Sequence, residues 1–316
     1  MEQLTSFMSS RGILKSCVAH NKDPKSSLDA IDDDLLAHWT PGGAIYVCTD
    51  ALERFGRHFL PRLRDPFVLV SGDTDTPVGE SLLAKPGIPE ILASPLLVNW
   101  FAQNLATRRP QLRWLPIGLD YHTMWSTPGY WGIEAVSPIA QEHHLVETLA
   151  ASPAMGQRRL AAYCNWHLAA HSMNSPDRRD CFEVIDRSVC YFEASYVPRA
   201  STWSRQVEFM FVVSPEGMGL DCHRTWEALC LGCIPIVKKN ALSRFLEQFP
   251  VMILDDWRDL TRRKMAKFVD SIEGRRFDFS PLFREYWVGR IRGIDQPILA
   301  PMTLAEFRLL ITRRMA

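Results

Sequence analysis

The stretch Ser214-Pro-Glu-Gly-Met-Gly-Leu-Asp-Cys-His-Arg-Thr-Trp-Glu-Ala-Leu-Cys-Leu-Gly-Cys-Ile-Pro-Ile-Val237 decides how this chain is read. The residues before it, Phe209-Met-Phe-Val-Val213, form a continuous apolar run, as in a strand buried on both faces. The run ends in a glycine turn, Pro215-Glu216-Gly217-Met218-Gly219, and an amphipathic pattern over Asp221–Leu231 predicts a helix. Ile234-Pro-Ile-Val237 reads as the next strand. Glycines at such a turn let backbone amides approach a ligand, and a helix start offers unpaired N–H groups and a positive dipole. His223 and Arg224 add donors suited to a diphosphate, and Glu227, one turn further, is placed to accept from a ribose diol. Ser214, just before the turn, and Glu216, within it, join the candidate contacts. The dinucleotide fingerprint G-x-G-x-x-G is excluded because Cys222 stands where its third glycine would be. A phosphate-binding P-loop would need Gly-Lys-Ser/Thr, which is absent from the stretch.

Working outward, apolar strand-like runs alternate with longer amphipathic segments, the pattern of parallel sheets covered by helices. In the first half the runs are 44–48, 67–70, 96–98 and 112–115, with a helix predicted over 51–60. In the second half they are 159–163, 208–213, 234–237 and 251–254. Helices are predicted over 177–188, opened by Ser175-Pro176, and over 242–248, 260–272, 283–292 and 304–314. The two series meet near 140–157, where 141–151 reads as a helix and 152–156 as a connector. The fold class expected is therefore α/β, two Rossmann-like, doubly wound domains facing a cleft. Residues 1–150 would form the first domain and 151–295 the second, with 296–316 a closing helix that packs back on the first.

Composition narrows the function classes. The 316 residues carry 36 basic and 36 acidic side chains, so no chain-wide positive field holds this protein to nucleic acid. Eight scattered cysteines read as packed thiols of a reducing compartment, and Cys230-x-x-Cys233 has no second pair or histidine doublet to make a zinc site. No apolar block has the length of a signal peptide or of a membrane span, so a soluble, cytoplasmic protein is expected. The segment 258–316 holds 13 Lys/Arg against 7 Asp/Glu, while Asp32-Asp33-Asp34 offsets it elsewhere. Its basic face is a candidate for peripheral contact with an anionic membrane surface, with a solvated helix face as the plainer reading.

The central stretch resembles the donor-site signature of exostosin-like glycosyltransferases, Pro-x-Gly-x-Gly-x-Asp-x-x-Arg-x-x-Glu-Ala-Leu-x-x-Gly-x-Ile-Pro. It matches at Pro215, Gly217, Gly219, Asp221, Arg224, Glu227, Ala228, Leu229, Gly232, Ile234 and Pro235. The resemblance implies the two-domain GT-B fold and a nucleoside-diphosphate sugar, usually a UDP-sugar, as donor, without a bound metal or other cofactor. It implies that Glu227 holds the ribose, and that Arg224 and the Gly217–Gly219 amides hold the diphosphate. Eukaryotic members carry a membrane anchor; its absence here points to a cytoplasmic bacterial or viral relative.

Further constellations fill in the expected chemistry. Arg178 and Arg179, at the start of a helix in the same half, are candidates to neutralise phosphate charge as a nucleotide leaves. Inverting glycosyl transfer needs a base for the acceptor hydroxyl, and Asp73, then Asp75, at the end of a buried strand are the first choices. An Asx-type turn ending at Pro77 is the competing reading. Asp120 and His122 supply alternative bases or acceptor contacts, and Trp100 and Asn104 an aromatic and amide wall for a glycan or lipid-linked glycan acceptor. The sequence reading is thus an inverting, metal-independent glycosyltransferase. A retaining enzyme using Glu216 and a non-catalytic nucleotide-sugar or glycan-binding protein are its alternatives. An NAD-dependent oxidoreductase ranks last, because Gly42-Gly43 precedes the first strand instead of following it.

Overall fold

A computed structural model describes residues 1–126, 134–166, 175–195 and 197–314, the last without its terminal side chain. Its frame is two all-parallel sheets. The first contains β1 (Ala44–Cys48), β2 (Phe67–Gly72), β3 (Leu97–Ala102) and β4 (Leu112–Trp114), in the order β1-β2-β3-β4. The second contains β5 (Arg159–Cys164), β6 (Cys190–Phe192), β7 (Phe209–Val213), β8 (Ile234–Lys238) and β9 (Met252–Leu254), in the order β6-β5-β7-β8-β9.

The strand orders differ in a way that matters for function. In the second sheet the chain first steps one way, from β5 to β6, then reverses to place β7 on the other side of β5. The crevice beyond the carboxyl ends of β5 and β7 is therefore a topological switch point, where open parallel sheets bind ligands. The first sheet progresses in one direction, so the expectation of two doubly wound halves holds for the second sheet and not for the first.

Helices form where the pattern places them, with sharper ends. His223–Cys230 follows the glycine turn, Pro176–Val184 is capped by the Ser175 hydroxyl accepting from the Arg178 N–H, and Leu304–Arg314 closes the chain. The helix expected over 51–60 is instead a series of short turns, including a π-helical one at Phe55–Phe59. Gly56 sits in that turn against Gly87: a Cβ on Gly56 would lie 2.0 Å from the Gly87 carbonyl oxygen. The strand expected at 96–98 runs on to Ala102, which carries Asn99 to Phe101 into the sheet.

One apolar core runs from the first sheet into the second half. Trp114, on β4, packs against Trp226 (5.8 Å between centroids), Phe245 (4.8 Å) and Trp287 (5.5 Å), all of the second half. A second cluster, including Phe211, Ile234, Trp257 and Met265, fills the other face of the second sheet. The closing helix lies along Pro138–Ala151, where the Arg308 guanidinium donates to the Ser152 carbonyl. Arg158, in the connector, donates to the Leu231 and Gly232 carbonyls just past the helix His223–Cys230, at 3.2 and 3.1 Å. Among the described residues no helix is long and apolar enough to cross a membrane.

Candidate active site

The loop Ser214–Cys222 leaves the carboxyl end of β7 and meets loops that leave β2, β3 and β4 of the first sheet. Two of those loops bend through left-handed residues, Asp73 (φ 63°) and Asn104 (φ 51°), residue types that tolerate that region. The third bends at Gly118 (φ 64°), where a Cβ would come within 2.1 Å of the Met8 carbonyl oxygen, so only glycine fits. Gly217 and Gly219 are closely approached instead. A Cβ on Gly219 would lie 3.1 Å from the Cα and carbonyl oxygen of Asp75, and one on Gly217 would lie 3.1 Å from Nη2 of Arg178.

Arg178 and Arg224 converge beside this turn. Arg224 Nε donates to the Asn165 carbonyl at the end of β5 (2.7 Å), and its Nη1 lies 3.4 Å from Cys222 Sγ. Arg178 is half-buried, and its Nε is shut from solvent with no hydrogen-bond partner among the described residues. Burial, and next the nearby Arg224 charge, make Arg178 harder to protonate than an ordinary arginine. Two guanidiniums with an unspent donor, at the switch point and next to a helix start, are groups suited to an anion. Arg179 is solvent-exposed and takes no part in this cluster.

Several residues expected to touch ligand are spent on structure. Asp221 is buried and accepts from the Cys222 amide (2.9 Å), the Trp226 indole N–H (2.8 Å) and the Ile117 amide (2.9 Å). Its own amide donates to Asn104 Oδ1 at 2.8 Å, so Asp221 and Asn104 clamp the 214–222 loop to the first sheet. Burial raises Asp221 to about 6 despite those hydrogen bonds. Ser214 is buried with its hydroxyl 2.9 Å from Thr225 Oγ1. Trp100 is fully buried and donates its indole N–H to Ser71 Oγ at 2.9 Å, so it belongs to the core and not to an acceptor wall. Glu216 accepts from Asn240 (2.7 Å), and burial raises its carboxyl, with Asp177 nearby adding to the effect.

The expected bases divide likewise. Asp73 is buried with Oδ2 2.9 Å from Arg11 and Oδ1 3.3 Å from the Ser26 hydroxyl, so its carboxylate is engaged in an ion pair away from solvent. Asp75 packs on Gly219 instead, so the two carboxylates of Asp73-Thr-Asp75 do not act as a pair. Among the described residues no group of three or more His, Cys, Asp or Glu is arranged to hold a metal. Asp120 and His122 do come together: Oδ1 of Asp120 lies 3.1 Å from Nδ1 of His122 and also accepts the Thr123 amide at 3.0 Å. Burial works against the Asp120 charge, but His122, His223 and Arg199 outweigh it and hold the carboxyl well below its usual range. Burial pushes His122 below its ordinary value, against the opposing pull of Asp120 and Asp73. Nδ1 of His122 faces Asp120, which leaves Nε2 as the ring nitrogen turned away from that carboxylate. The His122 ring is 6.2 Å from that of His223, which donates from Nδ1 to the Gly118 carbonyl at 2.6 Å.

Glu227 is held by Arg199, whose Nε donates to Oε1 at 3.1 Å. The same guanidinium donates to the Asp120 carbonyl and stacks 5.0 Å over Trp203, tying the helix of the glycine turn to the His122 loop. The sequence reading missed Arg199 and Arg11, which lie in no motif and meet their partners only through the fold.

No family model matches this chain, and no curated protein does. Among solved structures it is similar to the catalytic domain of starch synthase IV from Arabidopsis thaliana bound to ADP and acarbose. The likeness covers 86% of this chain and 73% of that one, with 11% identity and a TM-score of 0.33. So low a TM-score carries no weight in the functional reading.

Proposed function

We propose that this protein is a GT-B glycosyltransferase that moves a sugar from a nucleoside diphosphate to a glycan hydroxyl with inversion, without a metal or other cofactor. The donor would be a UDP-sugar, as the motif's resemblance to exostosin-like enzymes implies, and residues 151–295 would bind it. Residues 1–150 would supply the acceptor side and 296–316 the closing helix. The observation that carries the reading is the Arg178–Arg224 pair: two converging guanidiniums, one with an unpartnered buried N–H, at the glycine turn and the switch point. A free protein gains nothing from keeping that arrangement empty, whereas a diphosphate satisfies it.

In the proposed step, His122 Nε2 takes the proton of the acceptor hydroxyl as its oxygen bonds to the anomeric carbon. Asp120, fixed by the Thr123 amide, keeps the Nδ1–H tautomer and stabilises the imidazolium that forms. The bond from the anomeric carbon to the diphosphate oxygen breaks, and its electron pair leaves on the diphosphate. Arg178, Arg224 and the helix start oppose the accumulating charge. Oε2 of Glu227 remains to accept from the ribose while Arg199 fixes Oε1.

The test is a thermal-shift panel of nucleoside diphosphates followed by product analysis with the sugar-linked forms of any that bind. Stabilisation by a diphosphate, with NMR of the product showing the inverted anomer, is expected. A retained anomer would move the chemistry to Glu216; binding without turnover would make the protein a nucleotide-sugar binder. Stabilisation by no diphosphate would overturn the proposal.

A further inference from the structure

A groove of about 570 Å³ lies outside the glycine-turn site, between the β3–β4 loop and the segments around Phe245 and Tyr286. Its size is that of a small-molecule site. Five arginines and no Asp or Glu line it. Arg109 and Arg290 are paired, with Glu80 and Asp295 respectively. Arg108, Arg113 and Arg244 have no carboxylate partner among the described residues: Arg113 donates only to the Pro110 and Leu112 carbonyls, and Arg244 to the Thr107 carbonyl at 2.8 Å. Burial, and then the Arg108 charge, make Arg244 harder to protonate.

The aromatic side chains of the groove show how these cations are oriented. Arg244 lies 4.5 Å over the Phe245 ring, and Arg290 lies 5.6 Å over that of Tyr286. Stacking occupies the flat face of a guanidinium and leaves its N–H rim for an oxyanion. Both rings are half-buried, which leaves each an apolar edge in the groove. Unpaired positive charge, forked donors and ring surface lie together in one cavity, the set of groups that a multiply charged, ring-bearing ligand would engage.

We propose that this groove is a second anion site, for a small molecule bearing two or more oxyanion groups on a ring-containing body. It is independent of the donor site, which is built on Arg178 and Arg224. Because the groove joins the two halves through Arg244 and Thr107, an occupant bridges them.

The test is calorimetric titration of the full chain with a hexose bisphosphate at low ionic strength, where screening is weak. The variants are R108Q/R113Q, both at exposed positions, and R178M as the control for the donor site. The expected result is a binding event in wild type that R178M leaves in place. R108Q/R113Q should weaken it about tenfold or more, since two charged hydrogen-bond donors are removed. An event lost in R178M and unchanged in R108Q/R113Q would overturn the proposal while supporting the donor site. No event in wild type would overturn it outright.

Discussion

Replacing Arg178 with methionine separates a cation kept for a ligand from one kept for the fold. The stem stays while the guanidinium goes, and with it a buried N–H that has no partner and a like charge beside Arg224. An unsatisfied buried donor costs about 1–3 kcal/mol. The variant gives up only a weak hydrogen bond to Cys222 and some attraction to Asp75. The ligand-free protein should therefore become more stable, by about 1 kcal/mol, a rise in Tm of roughly 2 °C for a chain of this length. With a nucleoside diphosphate the sign reverses. At a hundred times its Kd the ligand stabilises wild type by about 2.7 kcal/mol. Loss of one charged contact weakens affinity about 10–100-fold. At the same concentration the variant should gain only about 0.4–1.4 kcal/mol. Differential scanning fluorimetry with and without UDP, at fixed protein concentration, reads both numbers. A variant that is destabilised without ligand by more than about 1 kcal/mol and keeps its full UDP shift would refute the reasoning, because Arg178 would then be a structural cation.

Four further outcomes are expected. Gly219→Ala drives a Cβ to 3.1 Å from the Asp75 backbone, which should cost about 1–3 kcal/mol in unfolding experiments and weaken diphosphate binding. The raised Asp221 contributes stability that is present below its unfolded value of 3.8 and lost as pH rises to about 6. Denaturation profiles of wild type and Asp221→Asn should therefore diverge by about 3 kcal/mol across that window, and parallel profiles would contradict the assignment. Arg199→Met strands the half-buried Glu227 and should cost about 1–3 kcal/mol, partly restored in R199M/E227Q; additive effects in that double-mutant cycle would show the pair is not coupled. His122→Ala should lower turnover about 10²–10⁴-fold. In wild type the base limb of the rate profile should fall below pH 6.5, since burial depresses His122.

What could be read in the sequence follows from the range of the forces involved. The strand–turn–helix–strand around the glycine turn is local: an apolar run, two glycines and an amphipathic helix specify it within one stretch. The Ser175 cap is equally local. Strand order is not, since nothing in the pattern of β1 to β4 says that the first sheet lacks the reversal of the second. Trp100 was legible as strand or loop only by where β3 ends, and its continuation to Ala102 buries the indole. Asp73 and Asp221 stand out in the sequence as carboxylates at loop positions, but their tasks depend on partners far along the chain, Arg11 and the Ile117 amide. Asp120 and His122 lie two residues apart and were singled out, yet only the turn of the Thr123 amide onto Asp120 shows which one holds and which one accepts a proton.

The central claim is that the Arg178–Arg224 pair at the glycine turn holds the diphosphate of a sugar donor. A crystal structure of the protein with UDP tests it most directly. The account predicts the diphosphate between those two guanidiniums, with an oxygen on Arg178 Nε and the ribose toward Glu227. A diphosphate bound elsewhere, with Arg178 Nε still unpartnered, would contradict it.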